Sequence, residues 1–361
     1  MLRQQKAFDW GLFAVVMLLV TIGLLFVYSA SSYTAQKHYG NEYHFVFKQA
    51  IGAVVGATCM VALMFVNINV LKKFWIVAVV VTIVLLALVF VPGIGIENYG
   101  ARRWIGRGGF SLQPSEIAKF ALVLFCAVYM SKKDMSQFKN SIPVWIVGGV
   151  FCLLIIAEPN MSITMCVGLL LIAMLFVGGM KTKHFLLASV PIVAVVPVLI
   201  LMEPYRIKRL LAFLDPWASP KDEGYQLIQS LYALGNGGWF GVGLFNSRQK
   251  YEFLPFAESD FVFSVIGEET GLVGCLLLFV AYAFVIWRGI RIATNCKEKY
   301  TCYLCAGITA VIAIQSMINF AVVTGSIPPT GLPLPFISYG GTSLVVFMSA
   351  TGVLVNCSKY G

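Results

Sequence analysis

The chain has 361 residues, of which 59% are hydrophobic and only 12% charged, with a net charge of +10 and a mean hydropathy of +0.85. That balance excludes a soluble globular domain, which needs far more polar surface to cover its core. It also argues against nucleic-acid binding, because the bases fall in loops between apolar stretches, where they set orientation or meet anionic headgroups.

Apolar stretches of about 20 residues match a hydrocarbon thickness of roughly 30 Å. They predict an all-α integral membrane protein of about ten transmembrane helices, near 9–29, 45–66, 74–92, 114–131, 142–157, 162–179, 184–202, 260–287, 303–325 and 336–357. The whole of 1–361 then reads as one polytopic domain. Met1 to Lys6 is a short basic lead with no small-residue cleavage site behind the first apolar run, so that span is expected to stay as an anchor. Gly52 and Gly56 suit close helix packing. The fifth and sixth spans meet across Glu158-Pro159-Asn160, a tight hairpin. No internal repeat is visible, which weighs against an inverted-repeat transporter.

Alternate connections carry Lys72 and Lys73, then Lys132, Lys133 and Lys139, then Lys181 and Lys183, then Arg288, Arg291, Lys297 and Lys299. The positive-inside rule puts these in the cytoplasm, and an even span count leaves both termini there. Two outward connections are basic as well. One holds Arg102, Arg103 and Arg107; the other, 203–260, is a large extracytoplasmic loop between helices 7 and 8 with Arg206, Lys208, Arg209, Lys221, Arg248 and Lys250. Topology asks for no positive charge there. An anionic ligand at the outer face explains it, as would pairing with Glu97, Glu203, Asp222 and Glu223 or with lipid phosphates.

The same loop ends on Asp260, where water meets hydrocarbon. Its glycines (Gly235, Gly237, Gly238, Gly241, Gly243) follow no strand, so they are not a dinucleotide fingerprint; they suit a loop packed close to the membrane. Pro114 suits a first helical turn, and Glu116 there is favoured by the helix dipole. Glu116 and Lys119 at i,i+3 can pair, which lowers the cost of both at a membrane boundary. Glu268 and Glu269 lie about 12–14 Å along the helix from Asp260, too deep for a base and suited to orienting neighbouring helices. Pro328, Pro329, Pro333 and Pro335 forbid regular helix, so 324–341 is expected to be irregular backbone lining a cavity. Cys302 and Cys305 form a lone C-x-x-C with no second pair and no nearby His, so neither metal nor redox use is expected.

Three segments are specific: Phe110-Ser111-Leu112-Gln113-Pro114-Ser115-Glu116, the loop ending in Asp260, and Pro328-Pro329-Thr330-Gly331-Leu332-Pro333-Leu334-Pro335-Phe336-Ile337-Ser338-Tyr339-Gly340-Gly341. Together they closely resemble the SEDS family of RodA, FtsW and SpoVE proteins over nearly the whole chain. Ser247-Arg248-Gln249-Lys250-Tyr251 and Gly267-Glu268-Glu269 look more like the FtsW/SpoVE branch. One departure is Asn160, where the family usually has an Asp.

The resemblance implies a multi-pass bacterial plasma-membrane enzyme, a glycosyltransferase that polymerises lipid II for division, elongation or sporulation. It implies a class B penicillin-binding protein as transpeptidase partner, with other division or elongation proteins. The family's essential acid maps onto Asp260, the expected general base. Arg102, Arg103, Arg209, Arg248 and Lys250 are the expected partners of the departing pyrophosphate, with Glu116 and Lys119 beside the cavity and Ser338 and Tyr339 placed to bond sugar hydroxyls. For Ser338, capping the next helix is the other role. A divalent cation, Mg or Mn, could share the pyrophosphate's charge, although spacing shows no clustered carboxylate site. Two other classes fit some features: a lipid II flippase, and a non-catalytic scaffold for the penicillin-binding protein.

Overall fold

The computed structural model describes residues 7–98, 101–107, 110–187, 190, 201 and 204–360. It opens with α1 (Trp10–Tyr39), α2 (His44–Phe65), the short α3 (Ile68–Lys73) and α4 (Trp75–Leu88). An antiparallel sheet follows, ordered β1 (Gly95–Asn98), β2 (Ala101–Arg107), β3 (Phe110–Leu112). Next come α5 (Pro114–Met130), α6 (Phe138–Ala157) and α7 (Met161–Val177). The long polar segment contains α8 (Pro204–Leu214), a 3-10 turn at Pro216–Ala218 and α9 (Tyr225–Gly237). The chain then runs through α10 (Val262–Asn295), α11 (Lys299–Val323) and α12 (Gly341–Cys357).

Among the described residues, six helices are long and apolar enough to cross a membrane: α1, α2, α6, α10, α11 and Gly341–Tyr360. The bundle's polarity agrees. Val54, Leu153, Phe176 and Leu277 are exposed on its outside, whereas Glu116, Lys119, Glu268 and Glu269 are buried within. That inversion suits a lipid solvent, where packing and polar contacts hold helices together. Each predicted span holds a helix except 184–202, which lies largely outside the described residues.

Local chemistry sets several boundaries. The Asp9 side chain accepts from Leu12 N to start α1, and left-handed Gly40 ends it, ten residues beyond the predicted 29. Gly52 and Gly56 let α2 lie against α12: a Cβ on Gly56 would stand 3.3 Å from the Val345 Cα.

Three features differ from the sequence reading. The fold is not purely helical, because Ala101–Arg107 pairs on both sides into the small sheet. The segment before Asp260 is not simply a glycine loop: Leu227, Ile228 and Ala233 give α9 a buried face. Finally, α10 is broken at Gly271, whose φ is 68°. There the segment following α9 replaces the helical ladder. Val242 N and Gly243 N donate to the Glu268 and Glu269 carbonyls at 2.9 and 3.1 Å, while Leu272 N and Val273 N donate to the Gly238 and Trp239 carbonyls at 2.9 and 3.1 Å. Two freed carbonyls and two freed N–H groups thus find new partners, as irregular backbone inside a bundle requires. Gly241 must be glycine, since its φ is +78° and a Cβ would lie 2.1 Å from the Glu269 carbonyl oxygen.

Candidate active site

Asp260 lies two residues before α10 and is fixed through its backbone. The Asn319 side-chain amide donates to the Asp260 carbonyl at 2.9 Å and to the Leu332 carbonyl at 2.8 Å. One turn earlier on α11, the Gln315 amide donates to the Pro333 carbonyl at 2.9 Å. The Lys119 ammonium donates to Gln315 Oε1 and, at 2.9 Å, to Glu116. One face of α11 thus holds both Asp260 and the proline-rich loop. A polar chain running back to α5 anchors that face.

The loop meets the carboxylate at Gly331. Its φ is +72°, and a Cβ there would stand 3.1 Å from Asp260 Oδ2. Neighbouring bonds keep the loop rigid. Ser162 Oγ donates to the Thr330 carbonyl, Tyr282 Oη donates to the Pro335 carbonyl, and Tyr339 N donates to the Glu258 carbonyl at 2.9 Å.

Burial pushes the Asp260 carboxyl up from its ordinary 3.8 to about 6, and the charge of Glu258 adds to the rise. Arg209 and Arg103 oppose it. Arg103 projects from β2 and is gripped by the α6–α7 hairpin: its Nη2 donates to the Pro159 carbonyl at 2.6 Å and its Nε to the Glu158 carbonyl at 3.4 Å. The Glu158 carboxyl is buried with neither oxygen hydrogen-bonded among the described residues. Burial raises it to about 8 against the pull of Arg103. An open cavity of about 570 Å³ is lined by Lys208, Arg209, Asp222, Glu223, Gln226 and Pro329 among others. Arg209 joins the cavity to the acid: it lines the one and its charge reaches the other.

Several candidates sit elsewhere. Lys250 is buried with its ammonium 3.7 Å from Glu269 and 2.5 Å from the Phe245 carbonyl. Among the described residues, the cations whose charge reaches Asp260 are Arg209 and Arg103. Arg248 is exposed, and its backbone N–H donates to Glu268 at 3.2 Å. Arg102 is exposed and paired with Glu97 at 3.1 Å. Glu268 and Glu269 bind the 247–250 turn, and Ser29 of α1 donates to Glu269 at 2.6 Å. Ser338 does not cap α12, whose N-cap is Gly340; its hydroxyl accepts from Leu334 N at 2.8 Å. Tyr339 stacks edge-on against Phe45, ring centroids 5.1 Å apart. Sequence reasoning missed Gln315 and Asn319. The readable signal was a pair of amides at i,i+4 inside an otherwise apolar span.

This architecture has known counterparts. A family model described as a cell cycle protein, spanning FtsW, RodA and SpoVE, matches residues 9–361. The chain belongs to the FtsW/RodA/SpoVE family. Stage V sporulation protein E of Bacillus subtilis is 41% identical over 98% of this chain and 97% of that protein. A probable peptidoglycan glycosyltransferase FtsW from Geobacter sp. is 37% identical over 99% and 98%. Among solved structures, one from a peptidoglycan synthase complex that coordinates polymerization and crosslinking superposes with a TM-score of 0.81 at 27% identity, covering 98% of both chains. The rod shape determining protein RodA of Thermus thermophilus shares the fold, with a TM-score of 0.72 at 24% identity over 98% of both.

Within the family, Asn160 has a physical explanation. Its side chain accepts from Ile163 N at 3.4 Å as the N-cap of α7. Asp and Asn are about equally good N-caps, so the amide keeps the hairpin while removing a charge.

Proposed function

We propose that this family member is a peptidoglycan glycosyltransferase that polymerises lipid II at the outer face of the bacterial plasma membrane. The observation that carries the reading is Asp260: a desolvated carboxylate lodged against Gly331 and within reach of the charges of Arg103 and Arg209, the second of which lines an open cavity. The acceptor GlcNAc 4-hydroxyl attacks the anomeric carbon of the donor MurNAc. Its proton passes to the Asp260 carboxylate, the new C–O bond forms, and the bond to undecaprenyl pyrophosphate breaks. An α-linked donor giving a β-linked polymer requires inversion, hence one base and no covalent sugar–enzyme intermediate.

A base titrating near 6 is ionised at neutral pH yet basic enough to take a proton in the transition state. Arg103 and Arg209 are the cations for the leaving pyrophosphate. Glu116 and Lys119 act at a distance, through Gln315, by holding the loop. A divalent cation would find Asp260 and Glu258 as its protein carboxylates; among the described residues no three His, Cys, Asp or Glu side chains gather as ligands. Ten spans with both ends cytoplasmic put Asp260 outside the cell, and a class B penicillin-binding protein is the partner that crosslinks the product.

The test is purified protein with labelled lipid II, its cognate partner and divalent cation, scored for glycan polymer on a gel. Wild type should make polymer and Asp260→Asn none, with lipid binding retained. Polymer from Asp260→Asn at the wild-type rate would end this reading.

A further inference from the structure

The segment between α9 and Asp260 dips into the bundle and comes back. On the way in, Val242 N and Gly243 N pair with the Glu268 and Glu269 carbonyls. Its turn, residues 247–250, meets the side chains of the same two residues, and Glu269 in turn bonds Ser29 of α1. Ser29 lies ten residues before Tyr39, the end of α1, or about 15 Å along the helix. Back at that end, Glu252 pairs with Lys37 and, at 3.1 Å, with His38. Trp239 and Phe240, at the start of the segment, are exposed on the outside of the bundle, as suits a re-entrant stretch beside lipid.

Two fully buried carboxylates hold this turn. Glu268 Oε1 accepts from Arg248 N at 3.2 Å, and Oε2 accepts from Gln249 N at 3.3 Å and from the Ser247 hydroxyl. Glu269 Oε1 accepts from Ser29 Oγ at 2.6 Å and from Ser247 N at 3.3 Å, with the Lys250 ammonium 3.7 Å away. Apart from Ser29, all of these partners lie in residues 247–250. An acid that only oriented helices would reach for a neighbouring helix, whereas both Glu268 oxygens are taken by the turn. From there the bonds run on to the catalytic acid. The Gln249 carbonyl accepts from Leu254 N at 3.0 Å, and the Phe256 carbonyl accepts from Ser259 N at 3.1 Å and Phe261 N at 3.4 Å, closing around Asp260. Phe245, Glu252 and Phe256 have φ between 55° and 65°, a conformation that side-chain-bearing residues keep only when their surroundings impose it.

We propose that Glu268 is a positioning residue for polymerisation: its carboxylate anchors the re-entrant turn, and the turn fixes the segment that delivers Asp260 to the substrate. The proposal rests on the reading of Asp260 as the general base. Asp260 is then tied to α10 from both sides, directly through Phe261 and indirectly through the turn held by Glu268, about two helical turns further along. The expectation from sequence, that Glu268 and Glu269 orient neighbouring helices, describes Glu269 through its bond to Ser29 of α1. For Glu268 the partner is the loop, which spacing along α10 does not reveal.

The test is Glu268→Gln in the full-length protein with its partner and labelled lipid II, read for kcat and KM, beside hydrogen–deuterium exchange over residues 247–261. Glutamine keeps the size but offers one accepting oxygen, so a buried N–H of the turn loses its partner. Exchange should quicken at Gln249, Leu254 and Phe261, kcat should fall about tenfold, and KM should change less than about twofold. Ser29→Ala cuts only the bond from α1 to Glu269; it should lower the melting temperature and leave kcat unchanged. If Glu268→Gln does not fold, Ser247→Ala, which removes a donor from the same carboxylate, decides by the same split. Wild-type kcat in the folded variant, unchanged exchange, or an equal kcat loss in Ser29→Ala overturns the proposal. Absence of polymer from the wild type would tell instead against the proposed function.

Discussion

The Asn319 amide donates to the backbone carbonyl of Asp260 at 2.9 Å, and by a second hydrogen to that of Leu332 at 2.8 Å. One side chain therefore fixes the spacing between the acid and the loop packed against it. Asn319→Asp keeps the shape and cannot donate, so both carbonyls lose a partner at about 1–3 kcal/mol each. Polymerisation should fall about tenfold or more while lipid II binding changes less, because a misplaced base costs more in the transition state than in binding. Unchanged polymer yield from Asn319→Asp would show that Asp260 is held by something else.

The acid's raised titration has two consequences of opposite kind. As a base Asp260 works only when ionised, so activity should be flat above about pH 7 and fall about tenfold per unit below 6. For stability the sign runs the other way. The folded value, about 6, lies above the ordinary 3.8, so the group's contribution is fully present below 3.8 and is lost as pH rises through 6. Asp260→Asn should therefore melt higher than wild type at pH 8, by an amount that vanishes near pH 4. Paired melting curves at the two pH values check this; a variant less stable at pH 8 contradicts it.

The small space at Gly331 predicts a third effect. Gly331→Ala would be strained at φ +72° and would crowd Asp260 Oδ2 from 3.1 Å. The strain costs about 1 kcal/mol, so the protein should still fold while polymerisation drops. Wild-type activity in this variant would mean that the loop stands off the acid.

How far the sequence revealed this site depends on the kind of signal. Hydrophobic length located the long apolar helices, and proline density located the irregular loop, because both are local properties. The acid at the end of the polar segment was legible for the same reason. Which cations reach it was not. Lys250 is ten residues from Asp260 in sequence but is captured by Glu269, whereas Arg103 arrives from β2 on the far side of the α6–α7 hairpin. Burial of a charge beside one acid and not another is decided by packing, which residue spacing does not contain. The sheet was missed because its three strands are short and lie between two apolar spans. The break at Gly271 was hidden for a similar reason: its missing helical bonds are replaced by partners about thirty residues earlier.

Arg103 joins three parts of the site, so its loss should register in pH dependence as well as in rate. Arg103→Gln removes a charge that holds Asp260 down, and the acidic limb of the pH–rate profile should move above 6. The rate at neutral pH should fall one to two orders of magnitude, about what a lost charge-assisted contact costs. Arg103→Lys should leave the limb nearer to wild type, since an ammonium keeps the charge. It should still lower the rate, because a lysine cannot reproduce the guanidinium's paired bonds to the Glu158 and Pro159 carbonyls. A limb that stays put in Arg103→Gln would mean that Arg103 acts only as a brace for the hairpin.

The Glu116–Lys119 pair is a different case, a buried structural pair whose removal should reach the acid indirectly. Both side chains are essentially fully buried, 2.9 Å apart, and Lys119 also bonds Gln315, which holds the Pro333 carbonyl. Lys119→Met strands a buried carboxylate and frees Gln315 to turn. Breaking such a pair costs about 3–5 kcal/mol, so folded yield and melting temperature should both fall. Adding Glu116→Gln removes the stranded charge and should restore much of the melting temperature. It cannot restore the bond that orients Gln315, so polymerisation should stay low in the double variant. That split separates a role in loop placement from one in stability alone. If the double variant regains activity together with its melting temperature, the chain from α5 to the proline-rich loop carries no positional information.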